Sequence, residues 1–294
     1  MAQGQTLEEI QKRVAEMRAK ALANFPFELI EVPGKDALAK WQELKSAGKG
    51  TPIILGGEED FHNILHPFAP YEGPPEYSRP AKSLQEIVAA AEQIRFPDDL
   101  VAKRKTEDAS ARKAVEAMRD DPKAWVPTII QHDKEGHTRT LSREEAIASM
   151  LGDGKEPLGE WPATADESPG LTIATDVLSG KPLDKALLTV IPTDDWTTVP
   201  AHLRWGDWNA NPGPEWHVAA LRSWRNRYDI ELVGLSFDTM NLRVRSNPKS
   251  RDEAISLARE QYAYCSDVVD QGVGTISQLA RDLMVNDWWF FWWD

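Results

Sequence analysis

Cysteine is nearly absent: Cys265 is the one thiol in 294 residues. A lone thiol excludes an internal disulfide framework and a CxxC metal cluster, and it fits a reducing compartment, so a cytoplasmic location is expected. Long apolar runs are missing too, which argues against a membrane span, and Met1-Ala2-Gln3-Gly4-Gln5 lacks the basic-then-apolar pattern of a secretory leader. Positive charge is in deficit: 34 Lys and Arg against 47 Asp and Glu give a formal net charge of -13. That average repels nucleic acid, and no basic run with interleaved aromatics overrides it. Neither GxGxxG, GxxxxGK[ST] nor HExxH occurs, so no cofactor is expected.

Tryptophan, by contrast, is abundant, with twelve residues, most of them after Asp195. The sequence closes on Asp287-Trp288-Trp289-Phe290-Phe291-Trp292-Trp293-Asp294. In an extended chain Trp288, Phe290 and Trp292 face one side and Trp289, Phe291 and Trp293 the other. Each ring has roughly 150–250 Å² to hide, on the order of 4–6 kcal/mol as an upper bound. A strand buried on both faces is therefore expected, one against its own helices. The other face needs a cover: the amino-terminal part, the 194–213 loop, or a partner.

Upstream, Thr6-Leu7-Glu8-Glu9 is a capping box opening an amphipathic helix with Leu7, Ile10, Val14, Met17 and Ala21 on one face. A strand at 27–32, a helix carrying Leu38, Trp41 and Leu44, and a strand at 52–55 read as a strand-helix-strand unit, parallel if the strands share a sheet. Gly56-Gly57 could cradle an anion at a helix start, but Glu58, Glu59 and Asp60 already sit there. His62 and His66 would share a helical face and could hold a metal with Glu59 or Asp60. Pro67 ends that segment, so an exposed pair before a loop is the reading kept. Residues 67–80 are a proline-rich connector with Tyr71 and Tyr77 as anchors. Ser83 caps the next helix, a charged helix covers 110–120, strands at 125–132 and 137–141 form a hairpin, and Ser142 caps a helix ended by Gly152. His132 and His137 flank that hairpin turn as polar end residues.

The Gly, Pro and acid-rich residues 153–170 read as a linker between an amino-terminal α/β domain, 1–152, and a carboxyl-terminal domain, 171–294. In the latter, a strand at 186–193 and a long aromatic loop precede a helix that begins at Pro214 and buries Val218, Leu221, Trp224 and Tyr228. A hairpin around Asp238-Thr239 follows. Ser250 caps a helix with Ala254, Leu257, Ala258, Gln261, Tyr262 and Cys265 facing inward, a shorter helix begins at Thr275, and the aromatic strand ends the sequence. The order β-α-β-β-α-(α)-β gives an α+β class with a ferredoxin-like split βαβ sheet.

Several separated motifs occur in one order: Asp194-Asp195-Trp196, Trp205-Gly206-Asp207-Trp208-Asn209, His217-Val218-Ala219-Ala220-Leu221-Arg222-Ser223-Trp224, Leu232-Val233-Gly234-Leu235-Ser236-Phe237-Asp238-Thr239, Ala258-Arg259-Glu260-Gln261-Tyr262-Ala263-Tyr264-Cys265 and the closing aromatic run. In these motifs the last hundred or so residues resemble the bacterial domain-of-unknown-function family 4253. Trp41, Gly50 and Pro52-Ile53-Ile54-Leu55-Gly56 resemble the amino-terminal region of its longer members. The resemblance implies no established activity, and so no catalytic residue carries over.

Among polar residues, Asp194, Asp195, His217 and Asp238 are the candidates for acid-base or metal-assisted hydrolysis. Trp196, Trp205, Trp208, Asn209, Asn211, Thr239 and Asp294 are the candidates for binding. Asp and Asn also build loops on their own backbone, and Asp238-Thr239 suits a plain turn. Cys265 reads as a buried structural thiol. Asp294 needs water or one of Arg204, Arg222 and Arg225. Three functions follow. The first is an acidic intracellular protein that binds a protein or peptide through the Trp-rich loop and sheet face, by analogy in a toxin-immunity or phage-conflict setting. The others are a metal-assisted hydrolase and a small-molecule sensor with a Trp-lined pocket. The oligomeric state is left open.

Overall fold

The computed structural model describes residues 6–71, 81–132, 137–152 and 154–294. In chain order the elements are α1 (Leu7–Asn24), β1 (Leu29–Val32), α2 (Ala37–Ala47), β2 (Thr51–Gly56), α3 (Glu58–Ile64), α4 (Leu84–Glu92) and α5 (Asp98–Asp120). Next come β3 (Ile130–His132), β4 (Thr138–Thr140), α6 (Arg143–Leu151), β5 (Ala186–Ile191), α7 (Val199–Leu203) and α8 (Pro214–Tyr228). The chain ends with β6 (Ile230–Leu235), β7 (Thr239–Val244), α9 (Arg251–Tyr264), α10 (Ile276–Leu283) and β8 (Trp288–Trp292). The capping boxes at Thr6, Ser83 and Ser142 all form, each hydroxyl taking the N–H of a glutamate three residues on.

Two compact units result, Pro97–Leu158 and the remainder. The smaller holds α5, the β3–β4 hairpin and α6. The Arg143 guanidinium donates to the carbonyls of Met118 at 2.7 Å, Asp121 at 2.9 Å and Ala124 at 2.7 Å, satisfying acceptors that the end of α5 leaves open. The hairpin turn at 133–136 and Tyr77 lie outside the described residues.

The larger unit is built on one mixed six-stranded sheet, in the order β1-β5-β2-β6-β7-β8. Both β1 and β2 run antiparallel to β5, so they are parallel to each other, as the strand-helix-strand reading requires, with β5 inserted between them. β2 pairs parallel with β6, and β6, β7 and β8 form an antiparallel meander. This differs from the ferredoxin-like arrangement expected for 171–294, in which β5 would lie between β7 and β8: here β5 pairs with β1 and β2, and β8 pairs directly with β7. Nor do residues 153–170 divide two sheets: strands from before and after them share one. The sequence pattern identified the strands but carried no signal for their order, since pairing is decided by which buried faces match across the chain.

One face of the sheet carries α8, α9 and α10, where Trp224 stacks on Phe291 with ring centroids 5.4 Å apart. On the other face Ala37 and Trp41 of α2, with Ile173 and Ala174, pack on Ile54, Leu188 and Val233. Asn241, fully buried in β7, fastens this cover. Its Oδ1 accepts from the backbone N–H of Thr172 at 3.1 Å and of Ile173 at 3.0 Å. Gly234 leaves room for it, since a Cβ there would lie 2.6 Å from a methyl of Ile173. The expected two-sided burial of the aromatic strand is met unequally. Trp289, Phe291 and Trp293 are buried, while Trp288, Phe290 and Trp292 are half-buried. Trp288 packs against the covered face.

Candidate functional site

The long connection from β5 to α8 begins with a local structure. Asp195 Oδ1 accepts from the Thr197 N–H at 3.3 Å and its hydroxyl at 2.6 Å, holding the short turn Trp196–Thr198. Arg225 and Arg222 of α8 reach the same carboxylate at 2.9 and 3.2 Å. Burial alone would raise the Asp195 pKa, but the Thr197 hydroxyl and the two guanidinium groups outweigh it and hold the carboxyl below its ordinary range. Arg225 also lies over the Trp196 ring, 5.9 Å from its centroid. Asp194 is exposed.

Residues 204–209 then take an unusual course, with Arg204, Gly206, Asp207 and Asn209 at φ of 51°, 108°, 67° and 45°. Positive φ is open to glycine and tolerated by Asp and Asn but costs most other residues about 1–2 kcal/mol, so at Arg204 above all the surroundings must impose it. They do so from both ends: Asp207 donates to the Pro212 carbonyl at 2.9 Å, and Asn211 to that of Trp208 at 2.8 Å. Trp205 is a buried anchor whose Nε1 donates to the Ser236 carbonyl at 2.6 Å. Gly206 is required, because a Cβ there would lie 2.1 Å from the Pro212 oxygen and 2.7 Å from His217 Nε2. Trp208 is held by stacking on Phe237, with centroids 4.6 Å apart and planes within 9°.

His217 is wholly buried on α8. Its Nδ1 lies 2.5 Å from the Tyr264 hydroxyl, while its Nε2 is buried without a hydrogen-bond partner among the described residues. Burial drives the His217 pKa down to about 3, leaving a neutral ring that braces the loop. Asp238 accepts from Thr239 Oγ1 at 2.9 Å and Ser236 Oγ at 3.3 Å, and its backbone carbonyl takes the Trp293 N–H at 3.1 Å. Asp195, His217 and Asp238 thus have separate partners. Among the described residues no group of three His, Cys, Asp or Glu is placed to hold a metal ion.

The other candidates scatter in a similar way. Asn209 Nδ2 donates to the Asp294 carbonyl at 3.1 Å, joining loop to strand end. The backbone N–H of Asp294 goes to Asp267, Arg222 and Arg225 are engaged by Asp195, and the Asp294 side chain is exposed, so of the two alternatives it takes water rather than these arginines. Asn211 is buried. His62 closes α3, whereas His66 opens a separate short turn before Pro67, so the two share no helical face. Asp60 takes the Gly57 N–H at 3.0 Å, occupying the helix start from within the chain. Cys265 is buried, its thiol donating to the Trp292 carbonyl at 2.9 Å, and burial pushes its pKa up to about 12.

What the loop does form is a cavity of about 370 Å³ lined by Arg204, Trp205, Asp207, Trp208, Phe237 and His66, among others. Of these, His66 figured only as a weak metal candidate, and Arg204 only as a partner for Asp294. Tyr264 was also missed, the inward place on α9 being given to Tyr262. Spacing could have found it, because Leu257, Gln261 and Tyr264 fall at i, i+4 and i+7.

Residues 187–294 match the family model described as Domain of unknown function (DUF4253). No curated protein and no solved structure matches the chain. The DUF4253 match starts within β5 and runs to Asp294, so it takes in the strained loop, His217 and the aromatic strand. Two of the six strands in its sheet, β1 and β2, come from outside the match, and β2 fills the space between β5 and β6.

Proposed function

We propose that this chain is a binding protein that recognises a protein or peptide through the Trp-rich loop between β5 and α8. The single observation that carries this reading is the loop at 204–209, held in left-handed backbone and presenting Trp208 and Asp207 at a cavity. Strain of this kind persists where the surroundings over-determine a shape, and a rigid aromatic anchor loses little entropy on binding. Trp208 is the residue best placed for that role, being half-buried, stacked and outside the core. Trp205, by contrast, supports the loop from beneath.

The hydrolase reading has less to rest on. Its base would be a wholly buried His217 whose Nδ1 is taken up by the Tyr264 hydroxyl, and its carboxylate Asp195 is held by two arginines. The sensor reading keeps one specific support, the cavity volume of about 370 Å³, which suits a small ligand. Affinity capture with the full chain and with Trp208→Ala separates these. A partner held by the wild type and lost from a variant of unchanged melting temperature supports protein binding. An identical set of captured proteins contradicts it. Quenching of Trp208 fluorescence by a metabolite, without a protein partner, would favour the sensor.

A further inference from the structure

The open edge of β8 has the makings of a second binding element. The Trp293 N–H and the Asp287 carbonyl both face β7, so by antiparallel alternation residues 287, 289, 291 and 293 bond to β7. The main-chain groups of Trp288, Phe290 and Trp292 face outward. Of these only the Trp292 carbonyl has a partner among the described residues, the Cys265 thiol. That edge opens onto a cavity of about 250 Å³, bounded by the turn Val268–Val273, by α10 and by residues 166–169. Four carboxylates line it, Asp166, Glu167, Asp267 and Asp282, and among the described residues no lysine or arginine does. Two buried lining residues, Gln261 and Trp289, each hold a side-chain N–H without a partner among the described residues.

We infer that this edge is a docking strip for an extended, basic peptide segment of a partner protein, which adds a strand beside β8. An exposed strand edge supplies main-chain hydrogen bonds in register, and alternate side chains of the added strand enter the flanking cavity. A lysine or arginine there meets carboxylates and indole rings together, the combination that stabilises a desolvated cation. A second copy of this chain fits poorly, since edge-to-edge pairing would set the same carboxylates against each other. The inference rests on the reading of the chain as a peptide binder but not on the loop at 204–209.

The test uses the full chain with two short synthetic peptides, one alternating lysine and threonine, the other glutamate and threonine. The lysine peptide should bind, slow amide exchange at Phe290 and Trp292, and weaken with salt, while the glutamate peptide should not bind. Phe290→Pro removes an outward N–H that the sheet does not use and should cost about tenfold or more in affinity, clearly more than Phe290→Ala. Should the proline variant fold poorly, the surface pair Asp166→Asn with Glu167→Gln should weaken the lysine peptide several-fold. Equal binding of both peptides, or of neither, overturns the inference. So does protection of the Phe290 amide that depends on protein concentration without peptide, which would identify a second copy as the occupant. Binding abolished by Trp208→Ala but untouched by Phe290→Pro would leave the loop reading standing and remove this one.

Discussion

Trp289, Phe291 and Trp293 are 2%, 0% and 1% exposed, while Trp288, Phe290 and Trp292, interleaved with them in the same strand, remain half-buried. The residue types are the same and the backbone is shared, so the difference comes from what each face meets. The inner row lies against α8 and α9, with Trp224, Tyr264 and His217 in ring contact. In the outer row Trp288 meets a thinner cover, from α2 and from a connecting segment tied down by Asn241, while Phe290 and Trp292 line the edge cavity. Composition creates the demand for burial, and topology decides which row has it met within the chain.

The comparison breaks most directly at the inner row. Phe291→Ala should destabilise by about 3–5 kcal/mol in urea unfolding, and Phe290→Ala by about 1 kcal/mol. Equal losses would mean that the two faces are packed alike. Next comes acid. The His217 pKa is about 3 in the fold against about 6.5 unfolded, so the unfolded state binds the extra proton between those values. Stability should be full above about pH 6.5 and fall by about 3 kcal/mol by about pH 4, a loss that His217→Gln should reduce. Asn241→Ala strands two backbone N–H groups and should cost about 2 kcal/mol, with faster amide exchange at Thr172 and Ile173 but not at the inner row. Trp208→Ala should change stability by less than about 1 kcal/mol while removing partner capture.

Much of this fold was legible in the sequence because the signals were local. Capping boxes at Thr6, Ser83 and Ser142, the face of α8 and the alternation of the terminal strand each depend on a few neighbouring residues. Strand order was not legible, because pairing β2 between β5 and β6 joins segments more than a hundred residues apart. Residues 153–170 read as a linker from their Gly, Pro and acid content. Their end instead leads into the sheet cover, through contacts made by Asn241 and Asn286 that no spacing rule reveals. The candidate site was half legible. The Trp and Asn motifs located the loop, but its backbone course depends on the Pro212 carbonyl further along it and on Ser236 from after β6. His217 shows the limit most plainly, since a histidine grouped with Asp194, Asp195 and Asp238 as candidate chemistry is a core ring in space.

Residue-resolved amide exchange along β8 tests, without any ligand, the open strand edge on which the proposed docking depends. The amides of Trp289, Phe291 and Trp293, bonded to β7, should be strongly protected, and those of Trp288, Phe290 and Trp292 should exchange orders of magnitude faster. Uniform protection along the strand, or none at any of the six, would contradict it.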